Sequence, residues 1–146
     1  MAATENGATI PAIARDGYAG DVTPQDAFDA WQAGNVVLVD IRTDAEREWV
    51  GLVPNAAVVP WKQWPGMTMN PNFDAQIQAL FKAGEGRPLV MLCRSGIRSI
   101  ASAKRATELG VTAYNILEGF EGDPNAEAKR STRGGWKFRG LPWKQN

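Results

Sequence analysis

A three-layer α/β fold, with a mainly parallel sheet between helices, is predicted by three features of the sequence. Runs such as Val36-Val37-Leu38-Val39 are continuous and β-branched, the character of strands covered on both faces. Helical patterns alternate with these runs along the chain, which favours crossover connections and parallel pairing. The length, 146 residues, suits one domain, because two would each have a thin core.

Residues 1–20 are rich in Ala, Gly and Thr without clear periodicity and read as a loosely ordered arm, leaving residues 21–146 as the folded domain. A helix starts where Thr23 can cap it, Pro24 takes the first helical position and Asp26 suits the first turn. Ala27, Phe28, Ala30 and Trp31 form its apolar face and Gly34 ends it. The first strand follows and stops at Asp40-Ile41-Arg42. A short polar helix, 44–49, leads through a turn at 51–55 to a second strand, Ala57-Val58-Val59. Residues 60–70 are a loop by composition, though Trp61, Trp64, Met67 and Met69 make it apolar. With Phe73, these side chains are expected to anchor the loop or to wall a pocket. Asn70-Pro71 opens the next helix, where Phe73, Ile77, Leu80 and Phe81 fall at i, i+4, i+7 and i+8 until Gly84-Glu85-Gly86 breaks it. Pro88-Leu89-Val90-Met91-Leu92 is a third strand running straight into Cys93. Residues 96–109 are helical, with Ile97, Ile100, Ala101 and Leu109 expected to face inward, and 111–117 form the last strand. A long polar connection, 118–135, precedes Trp136, which with Trp143 is expected to plug the core.

Composition narrows the chemistry. Sixteen basic residues balance sixteen acidic ones, so no global field recruits nucleic acid or an anionic membrane. One cysteine excludes an internal disulfide framework and any Cys-cluster metal site. The absence of histidine removes Ser-His and Cys-His pairs, His-containing zinc sites and the usual base near neutral pH. No metal and no cofactor is expected. The opening residues lack a basic n-region and a long apolar run, and no apolar stretch is long enough to span a bilayer. The cytoplasm is the expected compartment.

The informative stretch is Cys93-Arg94-Ser95-Gly96-Ile97-Arg98-Ser99. A buried strand delivers the cysteine to the carboxyl edge of the sheet, the usual ligand crevice of open α/β folds. Gly96 allows close backbone approach, and N–H groups of the loop and helix start can converge on one spot. Arg94 and Arg98 add two permanent positive charges. Each of these features favours thiolate over thiol, so the nucleophile can be activated by electrostatics without a histidine. Glu46 and Glu48 are candidates to offset the arginines.

Asp40-Ile41-Arg42, the turn at 51–56, the loop 93–99, and the closing Gly134-Gly135-Trp136 and Gly140-Leu141-Pro142 together resemble a single-domain rhodanese. The resemblance covers residues 23–143. It implies a sulfurtransferase in which Cys93 takes a sulfane sulfur from a small donor such as thiosulfate, holds it as a persulfide and passes it to cyanide or a thiol. It further implies that Arg94, Ser95, Gly96, Ile97, Arg98 and Ser99 cradle the donor. Asp40 would help hold the active loop, with Arg42 its usual neighbour; on bare chemistry the two are a partly exposed ion pair worth little. A protein-borne sulfur acceptor is also compatible, and the alternative is a persulfide carrier or a rhodanese-like interaction module. The family turn commonly carries a histidine where this chain has Leu52. The connection 121–133 is longer than a minimal member needs, and its Lys129, Arg130 and Arg133 are either a solvated charge run with no role or candidates to select anionic or protein-borne donors. Rhodanese-fold phosphatases carry Cys-x5-Arg, whereas Cys93 to Arg98 is Cys-x4-Arg, a tighter ring suited to a single sulfur atom.

Overall fold

The computed structural model describes residues 10–145. The chain begins with an antiparallel pair, β1 (Ile13–Arg15) and β2 (Tyr18–Val22). There follow α1 (Pro24–Gln32), β3 (Val37–Asp40), α2 (Asp44–Trp49) and β4 (Ala57–Val58). A small hairpin, β5 (Lys62–Gln63) with β6 (Thr68–Met69), leads to α3 (Phe73–Ala83). The chain continues through β7 (Leu89–Leu92), α4 (Arg98–Glu108) and β8 (Ala113–Ile116).

Six strands form one sheet in the order β1-β2-β8-β7-β3-β4, parallel throughout except for β1 at the edge. Alternate residues serve the two faces. Leu38, Val90 and Leu92 join a core with α1, Phe120 and Trp136, while Val39, Leu89 and Met91 join another with α3 and α4. Both faces are therefore covered, as the unbroken apolar runs require.

Four expectations are corrected. Residues 13–20, read as part of a loose arm, pair as β1 and the start of β2; β2 finds its partner in β8, far along the chain, which local composition does not reveal. The first nine residues of that arm lie outside the described residues. The loop at 60–70 contains the β5-β6 hairpin. The fully buried face of α4 consists of Ser99, Ser102, Ala103 and Ala106, small side chains that let the helix lie close on the sheet; Ile100 and Leu109 pack against that core as expected, whereas Ala101 is exposed and Ile97 is 70 % exposed. Trp136 is fully buried and donates its Nε1–H to Pro142 O at 2.7 Å, but Trp143 is half-exposed, edge-on to Phe120 with Lys137 against its face.

Candidate active site

β7 is buried on both faces and ends at the carboxyl edge of the sheet, so Cys93 emerges where the parallel strands stop. The next four residues, 94–97, turn before α4 begins. At its centre Gly96 has φ +97°, a left-handed conformation in which a Cβ would press on the backbone of Ile116 and Glu118. That turn brings the Gly96 N–H to 3.1 Å and the Ser99 N–H to 3.4 Å from Sγ. The Ser99 hydroxyl is also 3.1 Å from the sulfur. Two amides thus favour negative charge on an atom whose residue is only 1 % exposed.

The arginines of the loop differ in kind. Arg98, on the first turn of α4, donates two hydrogen bonds to Glu46, at 2.8 and 2.7 Å. Glu46 is itself the third residue of α2, where it accepts from the Thr43 N–H and completes a capping box. Burial alone would push the Glu46 carboxyl up. The Arg98 hydrogen bonds, the Thr43 amide and the charges of Arg98 and Arg42 outweigh it and hold that carboxyl below its ordinary range. Hence Arg98 is half of a neutral pair, not a free charge as the motif alone suggests. Arg94 is exposed and no carboxylate partner reaches it among the described residues.

Beside the loop lies a cavity of about 700 Å³, lined by Arg94, Ser95, Ile97 and Arg98 on one side. Thr43, Ala45, Glu46 and Val50 of the α2 region, with Trp64 and Met67 of the hairpin, complete the lining. Trp64 and Met67 therefore wall the pocket, while Trp61 packs edge-on to Phe73 and anchors the loop to the core, so both roles its composition allowed are filled.

Asp40 and Arg42 are not a partly exposed pair. Both are buried, with Arg42 Nη2 at 2.7 Å and Nε at 3.0 Å from the carboxylate. Arg42 also donates to Gly51 O at 2.9 Å, lies 4.2 Å over the Phe120 ring and leaves Nη1 without a hydrogen-bond partner. The carboxylate's hydrogen bonds run to Arg42, so its link to the cysteine loop passes through the guanidinium and Phe120. Burial here makes the pair costly to break, unlike a surface one.

The loop is instead held by residues 118–122, which local reasoning missed. Phe120 N–H donates to Cys93 O at 2.8 Å, and the amides of Glu121 and Gly122 donate to Arg94 O at 2.9 and 3.2 Å. Gly119, at φ +64°, passes so close that a Cβ would sit 2.5 Å from Cys93 O. The glycines in Glu118-Gly119-Phe120-Glu121-Gly122 were the available signal. The basic residues of the long connection do not reach the cavity: Arg130 donates to Gly122 O and Arg133 to Pro124 O, closing that loop on itself.

Among the described residues, no helix is long and apolar enough to cross a membrane. Comparison with known proteins agrees with the fold. An uncharacterized protein of Rickettsia conorii, RC0915, is 35 % identical over 112 residues, covering 75 % of this chain and 83 % of that protein. The crystal structure of Rv0390 from M. tuberculosis superposes with a TM-score of 0.78 at 41 % identity, covering 88 % of this chain and 99 % of the other. A Rhodopseudomonas palustris structure described as a possible tyrosine phosphatase, RPA3614, gives a TM-score of 0.54 at 25 % identity, covering 85 % of this chain and 83 % of that one. The family described as "Rhodanese-like domain" matches residues 23–123. With the parallel sheet, the cysteine at its carboxyl edge and this match over most of its length, the chain belongs to the rhodanese-like domain family.

Proposed function

We propose that the protein is a sulfurtransferase that carries a sulfane sulfur as a persulfide on Cys93, with thiosulfate as a workable donor and cyanide or a thiol as acceptor. The observation that supports this most is the convergence of the Gly96 and Ser99 amides on one buried sulfur beside a cavity. In the first step the Cys93 thiolate attacks the outer sulfur of the donor. The Cys93–sulfur bond forms, the donor's S–S bond breaks, and its electron pair leaves with sulfite. The loop amides hold the charge that remains on the enzyme, and Arg94 faces the anionic donor. In the second step the acceptor takes the outer sulfur and the pair returns to Sγ.

No second cysteine is present to resolve the persulfide internally, so turnover requires an external acceptor and ping-pong kinetics follow. We place the reaction in the cytoplasm, with small-molecule substrates or a protein-borne acceptor and without nucleic acid or membrane partners. The tighter Cys-x4-Arg spacing favours sulfur over phosphate, the alternative raised by the Rhodopseudomonas palustris structure.

The test is thiocyanate formation from thiosulfate and cyanide by the purified protein, with mass spectrometry of the Cys93 peptide after donor alone. Thiocyanate production, a mass gain of one sulfur and silence of Cys93→Ala are expected. A stable persulfide with negligible turnover would favour the carrier reading. No sulfur on Cys93 from any donor would overturn both.

A further inference from the structure

We propose that the cavity selects donors with one negative charge on an apolar body, such as organic thiosulfonates or persulfides, ahead of inorganic thiosulfate. This rests on the sulfurtransferase reading and names the substrate class of the same site. Its lining is mostly apolar: Ala45, Val50, Trp64, Met67 and Ile97. Two of these are unusually open, Ile97 at 70 % and Trp64 at 66 % exposure, and both line the cavity beside the cysteine loop. The charges count against a dianion. Arg98 is neutralised by Glu46, which leaves Arg94 as the single unpaired charge among the lining residues. One guanidinium matches one anionic head, and the apolar wall matches a hydrocarbon body.

With a thiosulfonate the step balances as for thiosulfate. The Cys93 thiolate bonds to the outer sulfur, the S–S bond breaks and its electron pair leaves as sulfinate. The experiment compares methanethiosulfonate with benzenethiosulfonate, which share a reactive head and differ in apolar body, with cyanide as acceptor. Covering Ile97 and Trp64 should raise kcat/KM for the aryl donor about tenfold, mostly through KM. In Trp64→Ser and Ile97→Ser that ratio should collapse towards one. Equal kcat/KM for the two donors, or a ratio indifferent to both substitutions, would overturn the selectivity while leaving sulfur transfer standing. Absence of thiocyanate from every donor would overturn the function itself.

A second inference stands on different atoms. The structure assigns Asp21, on β2, a positioning role at Cys93 through a hydrogen-bond chain across the sheet. The Asp21 carboxylate accepts from Arg15 Nε at 2.6 Å, Tyr18 Oη at 2.8 Å and Asn115 Nδ2 at 3.0 Å. An ionised carboxylate can only accept, so the Asn115 amide must turn its nitrogen to Asp21 and its oxygen to Ser99. The Ser99 hydroxyl meets both that oxygen and, at 3.1 Å, Cys93 Sγ. A hydroxyl has one proton, and the amide oxygen brings none. The Ser99 proton therefore belongs to Asn115, and towards sulfur Ser99 can only accept. A proton carried by the sulfur is therefore donated to Ser99, while the Gly96 and Ser99 amides donate to the sulfur.

Asp21→Asn lets both amides turn over, so that the Ser99 proton points at the sulfur. Because the chain has one cysteine, the S–H infrared band reports this bond alone. Asp21→Asn should deplete the hydrogen-bonded S–H band and raise the alkylation rate at neutral pH roughly tenfold, the worth of one hydrogen bond to a charged atom. Ser99→Ala should move the band to higher frequency, and adding Asp21→Asn to it should change nothing further. A wild-type band and rate in Asp21→Asn, or the same acceleration in the Ser99→Ala background, would overturn the assignment. Should Asp21→Asn fail to fold, an unshifted band in Ser99→Ala would do so.

Discussion

Glu46→Gln separates the two tasks of Glu46. Glutamine keeps an acceptor for the Thr43 amide, so the capping box at α2 survives, while the ion pair with Arg98 is lost. Exposed pairs are worth about 0.2–1 kcal/mol, and breaking a buried pair costs about 3–5 kcal/mol. The side chains of Arg98 and Glu46 are 19 % and 18 % exposed, which places this pair between those limits. The expected loss at pH 7 is about 1–2 kcal/mol, or a fall in Tm of about 3–6 °C for a chain of this size. The sign with pH follows from the depressed Glu46 carboxyl. A group held below its unfolded value of 4.5 stabilises the fold above that value, and the contribution is lost as pH falls through the folded value. Urea unfolding of wild type and variant should thus show a gap that is constant from neutrality to about pH 5.5 and closes on further acidification. A gap that persists unchanged in acid, or widens, would refute the pairing argument. Kinetics supply a second arm: with Arg98 released, KM for dianionic thiosulfate should fall several-fold.

Two further perturbations address the supports of the cysteine loop. Arg42→Leu strands the buried Asp40 carboxylate and should cost about 3–5 kcal/mol in urea unfolding. The double variant Asp40→Asn/Arg42→Met should recover part of it, and additive losses would contradict the pairing. Gly119→Ala forces a Cβ to within 2.5 Å of Cys93 O at a φ of +64°, so the loop must shift. Sulfur loading of Cys93 should fall well beyond what any lost stability explains; unchanged loading would show that residues 118–122 do not hold the loop in its working form.

Much of this was legible locally. Unbroken apolar runs require a sheet covered on both faces, and Thr23-Pro24 marks a helix start that the structure shows capped as expected. A strand ending in Cys93, followed by Gly96, already implies a turn wrapped about a sulfur. Most of the illegible parts involve distant partners. Glu46 meets Arg98 across 52 positions, and Asn115 meets Asp21 across 94. Residues 13–20 looked unstructured because the short β1-β2 pair is anchored to the sheet only through β8, beyond residue 112. Ile97 looked like an inward helical residue because its periodicity was read through a turn that precedes α4.

Short-range rules were enough to single out Cys93 as the candidate nucleophile and to give the class of fold: strand and helix periodicity, capping, and the φ that only glycine takes freely. Tertiary structure alone decided the electrostatic character of the site. Charge acts through space, and which carboxylate neutralises which guanidinium, or which amide oxygen claims a hydroxyl proton, depends on how parallel crossovers bring remote segments to one sheet edge.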